Sequence, residues 1–172
     1  MLQFLHDFIS SAGLRLADVV LYGASKGGTA SLAYGLRGGF KFVSVDPIVD
    51  DTYYHQEHKD LHFTNTDIFL QRKTDMFGEI FRNFLSSRDT GDRRVGDLVS
   101  RSVICSEGSP LYPYLEKSAI SALRDHVSFF KARNPKIDTH PGVAQNTINA
   151  LTMILNAYFY DREFEPGVLA IY

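Results

Sequence analysis

The segment "VVLYGASKGGTASLAYGL", residues 19–36, constrains the fold more than any other part of the chain. Four apolar residues lead into a serine framed by glycines, and a helical pattern follows, with Ala30, Ala33 and Leu36 on one side. An apolar run without alternation, here residues 17–22, suits a strand buried on both faces of a parallel sheet. "GASKGG", residues 23–28, fits the pattern G-x-S-x-G. In such a turn the serine sits at a strained corner between strand and helix, which lifts its hydroxyl above the sheet edge. The plainer alternative is an ordinary strand-to-helix connection. The spacing fits neither a phosphate loop nor a dinucleotide-binding loop.

The rest of the chain supplies the context such a corner needs. Leu2, Leu5, Phe8, Ile9 and Ala12 recur at helical spacing, and Gly13 suits a helix end. "FKFVSVDP" reads as a second strand over 40–45, closed by Asp46 and Pro47. Residues 48–100 carry many charges, several histidines and helical patterns near 66–72 and 76–87; they are expected to be a cap inserted over the sheet. Alternation resumes with a strand at about 101–106, a helix at about 112–132 and a short strand ending at His140. A helix over about 142–159 follows, and "GVLAIY" is a further short strand or a packed tail. Strands alternating with helices predict a single α/β domain over 1–172 with a mainly parallel sheet. The run at 17–22 looks like an interior strand although one helix alone precedes it, which suggests that N-terminal strands of a longer fold are missing or that something else covers that edge.

Composition narrows the function classes. A net charge of −2 gives no electrostatic reason to bind nucleic acid. Cys105 is the single cysteine, so no internal disulfide forms and a reducing compartment is the default. No apolar run approaches the ~20 residues that span a bilayer. The expected location is therefore cytoplasmic, free or peripheral to the membrane.

A serine hydroxyl becomes a useful nucleophile when a base takes its proton. The expected chain order is serine, acid, histidine, with the histidine in a loop before the last helix. His140, in "DTHPG", fits that place as the base for Ser25. His126 falls inside the long helix and His6 in the first one, so both read as structural. Two acids compete: Glu107 after the third strand, where such folds usually put it, and Asp46 after the second, with Glu107 slightly ahead. The backbone N–H of Lys26, next to the serine, is the expected oxyanion donor, aided by the positive end of the following helix. His55, His58 and His62 share a helical face near Asp60, but no fourth ligand at fixed spacing supports zinc. Substrate contact from the cap is the better reading of that group, and Arg93 and Arg94 read as solvated loop charges.

At "YGASKGGTASLAYGL", "GGFKFVSVDPIVDDTYY" and "DLHF", the chain resembles bacterial capsular polysaccharide biosynthesis proteins of the XcbB/CpsF type. It is more distantly similar to the glycan O-acetyltransferase of the accessory Sec system. The resemblance covers roughly residues 17–63 and implies an α/β-hydrolase-like fold acting in the making or modification of a surface polysaccharide. It carries Ser25 over as nucleophile and points to Asp60 and His62 as substrate-binding residues. The expected activity is a serine esterase or O-acyltransferase on a carbohydrate ester, needing no cofactor and no metal. The alternative is a non-catalytic scaffold or polysaccharide-binding partner among capsule-assembly proteins.

Overall fold

A computed structural model describes residues 1–59, 71–87 and 99–172. Among the described residues, five strands form one all-parallel sheet in the order β1-β2-β3-β4-β5: Val20–Ala24, Lys41–Val45, Arg101–Cys105, Ser128–Ala132 and Gly167–Ile171. The α/β class expected from the alternation is what the chain adopts. The C-terminal "GVLAIY" is the fifth strand, paired with β4 from Ser128↔Gly167 to Ala132↔Ile171.

The sheet separates two cores. Inward-pointing residues alternate along each central strand, so Phe42, Val103, Cys105 and Phe129 face one side while Val43, Val45, Ile104 and Phe130 face the other. After the N-terminal helix α1 (Leu2–Ser11), the first side carries α2 (Lys26–Gly38), with Leu32 and Leu36, and α4 (Lys73–Ser86), with Phe77, Ile80, Phe81 and Phe84. A helical segment joins them there: α5 (Tyr112–Leu115), a π turn over Glu116–Ile120, and α6 (Ser121–Leu123). The second side is covered by α7 (His140–Asn146) and α8 (Ile148–Phe159) through Val143, Ile154 and Tyr158. Each fully buried apolar side chain contributes about 1.5–3 kcal/mol, so both layers matter for stability. The first three strand connections thus cross one face and the fourth crosses the opposite face. Because every connection steps the same way along a parallel sheet, the fourth has the opposite hand.

Five expectations shift. The first strand starts at Val20, three residues late, because Asp18 folds back on Arg15: its carboxylate accepts the Arg15 backbone N–H at 3.0 Å and two guanidinium bonds at 2.9 and 2.6 Å. That strand is at the edge of the sheet, with Tyr22 65% exposed; among the described residues it pairs with β2 alone. The helix expected to reach 132 stops at Leu123, and Ser128–Ala132 is a strand. Leu115, Ala119, Leu123 and Val127 keep a four-residue spacing, but Phe129 and Phe130 face opposite cores, a period of two that a helix cannot give. No strand ends at His140: residues 133–139 form the approach to α7, anchored by buried Ile137. The helix beyond is interrupted at Thr147 (φ −122°, ψ 15°), whose hydroxyl donates to the Val143 carbonyl at 2.7 Å.

The segment read as a cap divides. Its α4 lies on the sheet face as the crossover between β2 and β3. The short helix α3 (Thr52–His58) instead sits near the carboxyl ends of the strands, where its Tyr54 meets His140. A buried ion pair ties the two helices together: Asp51 accepts from Lys73 Nζ at 2.8 Å and from the Lys73 backbone N–H at 2.6 Å. Among the described residues no helix is long and apolar enough to cross a membrane.

Candidate active site

Parallel strands gather their carboxyl ends on one edge of the sheet, where ligands of α/β folds bind. Here β1 ends one residue before Ser25, β2 one residue before Asp46, and the chain leaving β4 climbs to His140. The topology therefore brings together three side chains separated by up to 115 positions.

Ser25 occupies φ 55°, ψ −119°, outside the ordinary regions for a residue with a β-carbon. Such a conformation costs about 1–3 kcal/mol and persists where surrounding bonds fix it. The Ser25 backbone N–H donates to Val45 O at 3.0 Å, and its carbonyl accepts the Thr29 N–H at 2.8 Å and the Thr29 hydroxyl at 3.1 Å. Thr29 Oγ1 also accepts the Ile48 N–H at 2.9 Å, which ties the elbow to the chain just after Asp46. Gly23 makes the corner geometrically possible, because a β-carbon there would overlap the backbone of Gly27. The same need does not hold at Gly27, where a β-carbon would meet nothing within 4 Å.

His140 begins α7 behind Thr139, whose hydroxyl oxygen accepts the Gly142 N–H at 3.2 Å as an N-cap. Its ring and that of Tyr54 form a T-shaped pair, with centroids 6.5 Å apart and planes at 87°. Its Nε2 lies 2.7 Å from Ser25 Oγ, and its Nδ1 lies 2.7 Å from Asp46 Oδ2. A carboxylate can only accept, so Nδ1 carries the proton and Nε2 is left to accept from the serine hydroxyl. Asp46 has a positive φ of 44°, is 1% exposed, and is fixed by its own N–H bonding Ile104 O at 2.8 Å. Serine, imidazole and carboxylate thus form one unbroken hydrogen-bonded line.

Of the two candidate acids, Asp46 is the one that reaches His140. Glu107 does not reach His140; it points outward and accepts from Lys131 Nζ at 2.6 Å, with 62% of its side chain exposed. That lysine holds the Glu107 carboxyl below its ordinary value, by hydrogen bond first and charge second. The loop carrying Glu107 nevertheless matters to the site. Its Ser109 is buried and donates to Asp46 Oδ2 at 2.6 Å. The loop packs so closely on the His140 approach that a β-carbon on Gly108 would overlap the Ile137 carbonyl.

Lys26 is the first residue of α2, and the first N–H groups of a helix have no acceptor within it. Its backbone N–H stands beside Ser25 with the positive end of the helix behind it. A cleft of about 320 Å³ opens over Ser25, lined by Ala24, Val45, Asp46, His140, Pro141, Ala144 and Gln145. Its walls are mainly apolar. His126 lies in the turn before β4 rather than in a helix, and its ring meets Phe84 edge-on at 5.9 Å. His6 stacks on Phe40 at 5.4 Å, as a structural residue would. Asp60, His62, Arg93 and Arg94 lie outside the described residues. His55 is exposed on α3, and among the described residues no group of three or more histidine, cysteine, aspartate or glutamate side chains could hold a metal.

Sequence reasoning missed Thr29, Ser109 and Tyr54. Nothing in residue spacing marks a serine two positions beyond a more conspicuous glutamate as the one facing inward. No family model, curated protein or solved structure matches the chain.

Proposed function

We propose that the protein is a serine hydrolase or O-acyltransferase of α/β-hydrolase-like architecture, acting on an acyl ester. One observation carries the reading: Ser25 Oγ, His140 and Asp46 joined by two 2.7 Å contacts at the carboxyl edge of a parallel sheet. Ser25 Oγ attacks the ester carbonyl carbon while its proton passes to His140 Nε2. Asp46 holds the imidazole in the accepting tautomer and offsets the positive charge it gains. The oxyanion meets the Lys26 N–H at the helix start. The C–O bond to the leaving alcohol then breaks, and that alcohol takes the proton from His140. An acceptor enters, gives its proton to His140 and attacks the acyl-enzyme carbonyl; the bond to Ser25 Oγ breaks and His140 returns the proton to Ser25. Water as acceptor gives an acid, and a sugar hydroxyl gives a new ester.

The apolar walls of the cleft suit an acyl chain more than a charged group. The carbohydrate part of the reading, and a place in bacterial capsule assembly, rest solely on the resemblance read in the sequence of residues 17–63. Hydrolysis of p-nitrophenyl acetate tests the chemistry. Ser25→Ala is expected to lower turnover by at least roughly 10³-fold, and wild type is expected to take up a fluorophosphonate at Ser25. Turnover unchanged in Ser25→Ala, or no labelling of the full chain, would replace the enzyme by a non-catalytic partner of the same fold.

A further inference from the structure

We infer that Ser109 is a positioning residue of this site: its hydroxyl fixes the rotation of the Asp46 carboxylate so that Oδ2 stays aimed at His140. The inference rests on the reading of Ser25, His140 and Asp46 as a catalytic relay.

The bonds around Asp46 are unevenly shared. Oδ2 accepts from both His140 Nδ1 at 2.7 Å and Ser109 Oγ at 2.6 Å. The other oxygen, Oδ1, is buried with no hydrogen-bond partner among the described residues. A carboxylate bonded through both oxygens is held against rotation by those two points. This one depends on two donors converging on a single atom, and one of them, the imidazole, must itself change charge during turnover. Ser109 is the donor whose charge does not change.

Ser109 is built for constancy. It is 2% exposed, so water does not compete for its hydroxyl. Its N–H donates to Ser106 O at 3.0 Å and its carbonyl accepts the Tyr112 N–H at 3.0 Å, which fixes the backbone on both sides. Its Oγ accepts the Leu111 N–H at 3.2 Å, which leaves the hydroxyl proton for Asp46. Ser106 anchors the loop in turn by donating to Ala132 O at 2.9 Å, at the end of the strand that leads to His140. Ser109 is not among the residues lining the cleft over Ser25. Its effect on the reaction therefore passes through Asp46 and not through substrate.

Hydrogen bonds to a charged group are the stronger kind, and losing one commonly lowers a dependent rate by roughly ten- to a hundredfold. Ser109→Ala is expected to lower kcat by that factor while KM stays within about twofold, the split for an interaction made in the transition state. Ser109→Thr, which keeps the hydroxyl, is expected to recover most of the loss. A second readout does not depend on activity. In the full chain the Nδ1–H proton of His140, bonded to a carboxylate, gives a far-downfield proton resonance assignable by its absence in His140→Gln. Ser109→Ala, or the near-isosteric weak donor Ser109→Cys if the alanine protein fails to fold, is expected to shift that resonance or lose it to solvent exchange. An unaltered resonance in a folded variant overturns the proposal, whatever the ester rate. Silence of the wild-type protein toward ester and fluorophosphonate overturns the enzymatic reading instead, while the resonance still decides what Ser109 does to Asp46.

Discussion

Two of the three residues in the hydrogen-bonded line, Ser25 and Asp46, sit at positive φ without being glycine. Both follow directly on a strand, and in each case the backbone turns sharply so that a side chain faces along the sheet edge instead of across it. The strain at each position costs about 1–3 kcal/mol, and the strands that fix the corner offset it. The two acids offer a test at this scale. Asp46→Asn removes the charge, and its amide can present N–H to Nδ1, which favours the imidazole tautomer that cannot accept from Ser25. The expected loss in kcat is roughly 10³- to 10⁴-fold, by analogy with serine enzymes in which the same exchange has been made. Glu107→Gln breaks an exposed pair with Lys131, whose worth is at most about 1 kcal/mol, so ester turnover is expected to stay within twofold of wild type. Parallel assays of the two variants decide it; a large loss at Glu107 with little at Asp46 would reverse the assignment of the acid.

At the scale of elements, the strand β1, the elbow and the helix α2 form one mechanical unit whose two framing glycines do different work. At Gly23 an added β-carbon would run into the Gly27 backbone, so Gly23→Ala has to open the corner. It is expected to cost about 1–3 kcal/mol in a urea titration and to lower labelling of Ser25. At Gly27 the space is open and the residue is helical, so Gly27→Ala is expected to fold as well or to gain up to about 1 kcal/mol. Equal losses at both positions would mean that the motif acts through something other than close approach. This unit was legible in the sequence because its information is local: an apolar run, a framed serine and a helical period are read within eighteen residues. Ser25 was read that way and His140 from its place before the last helix, and the structure brings the two to 2.7 Å. The choice of acid was not legible, because Asp46 and Glu107 both follow strands, and what separates them is the direction each side chain takes after its turn. The helix expected through 132 failed for a related reason. Val127 continues a four-residue apolar spacing that ends structurally at Leu123, and Phe129 and Phe130 reveal the period of two only once both faces of the sheet are covered. The edge position of β1 was equally hidden, since pairing partners are a property of the assembled sheet.

The molecule as a whole is a sheet with a core on each side, and each core encloses a group that resists losing a proton. Cys105 is fully buried beneath the first face, and burial, reinforced by the nearby Asp46 charge, pushes its thiol well above the ordinary value. Tyr158, buried under the second face and hydrogen-bonded to Ser102, is pushed upward chiefly by burial as well. Tyr112 shifts the same way, through burial and its hydroxyl's bond to Glu116 at 3.0 Å. In the unfolded chain these groups titrate near ~8.5 for the thiol and ~10 for the phenols. A folded-state value raised above the unfolded one means that both states hold the proton at neutral pH, so nothing is lost there. As pH rises past the unfolded value, the unfolded state sheds protons that the folded state keeps, and unfolding becomes easier. Each such group adds a slope of up to about 1.4 kcal/mol per pH unit. Stability is therefore expected to hold level from neutrality to about pH 8, to fall gently as the thiol of the unfolded chain titrates, and to fall more steeply beyond about pH 10. Urea midpoints across pH 7–11 measure this, with Cys105→Ala expected to flatten the first part of the fall and leave the second. Because the thiol stays protonated inside, iodoacetamide is expected to modify Cys105 in urea and to leave it untouched in the native protein at pH 8. Stability unchanged up to pH 11, or rapid alkylation of the folded chain, would mean that the two faces of the sheet are not closed in the way their packing implies.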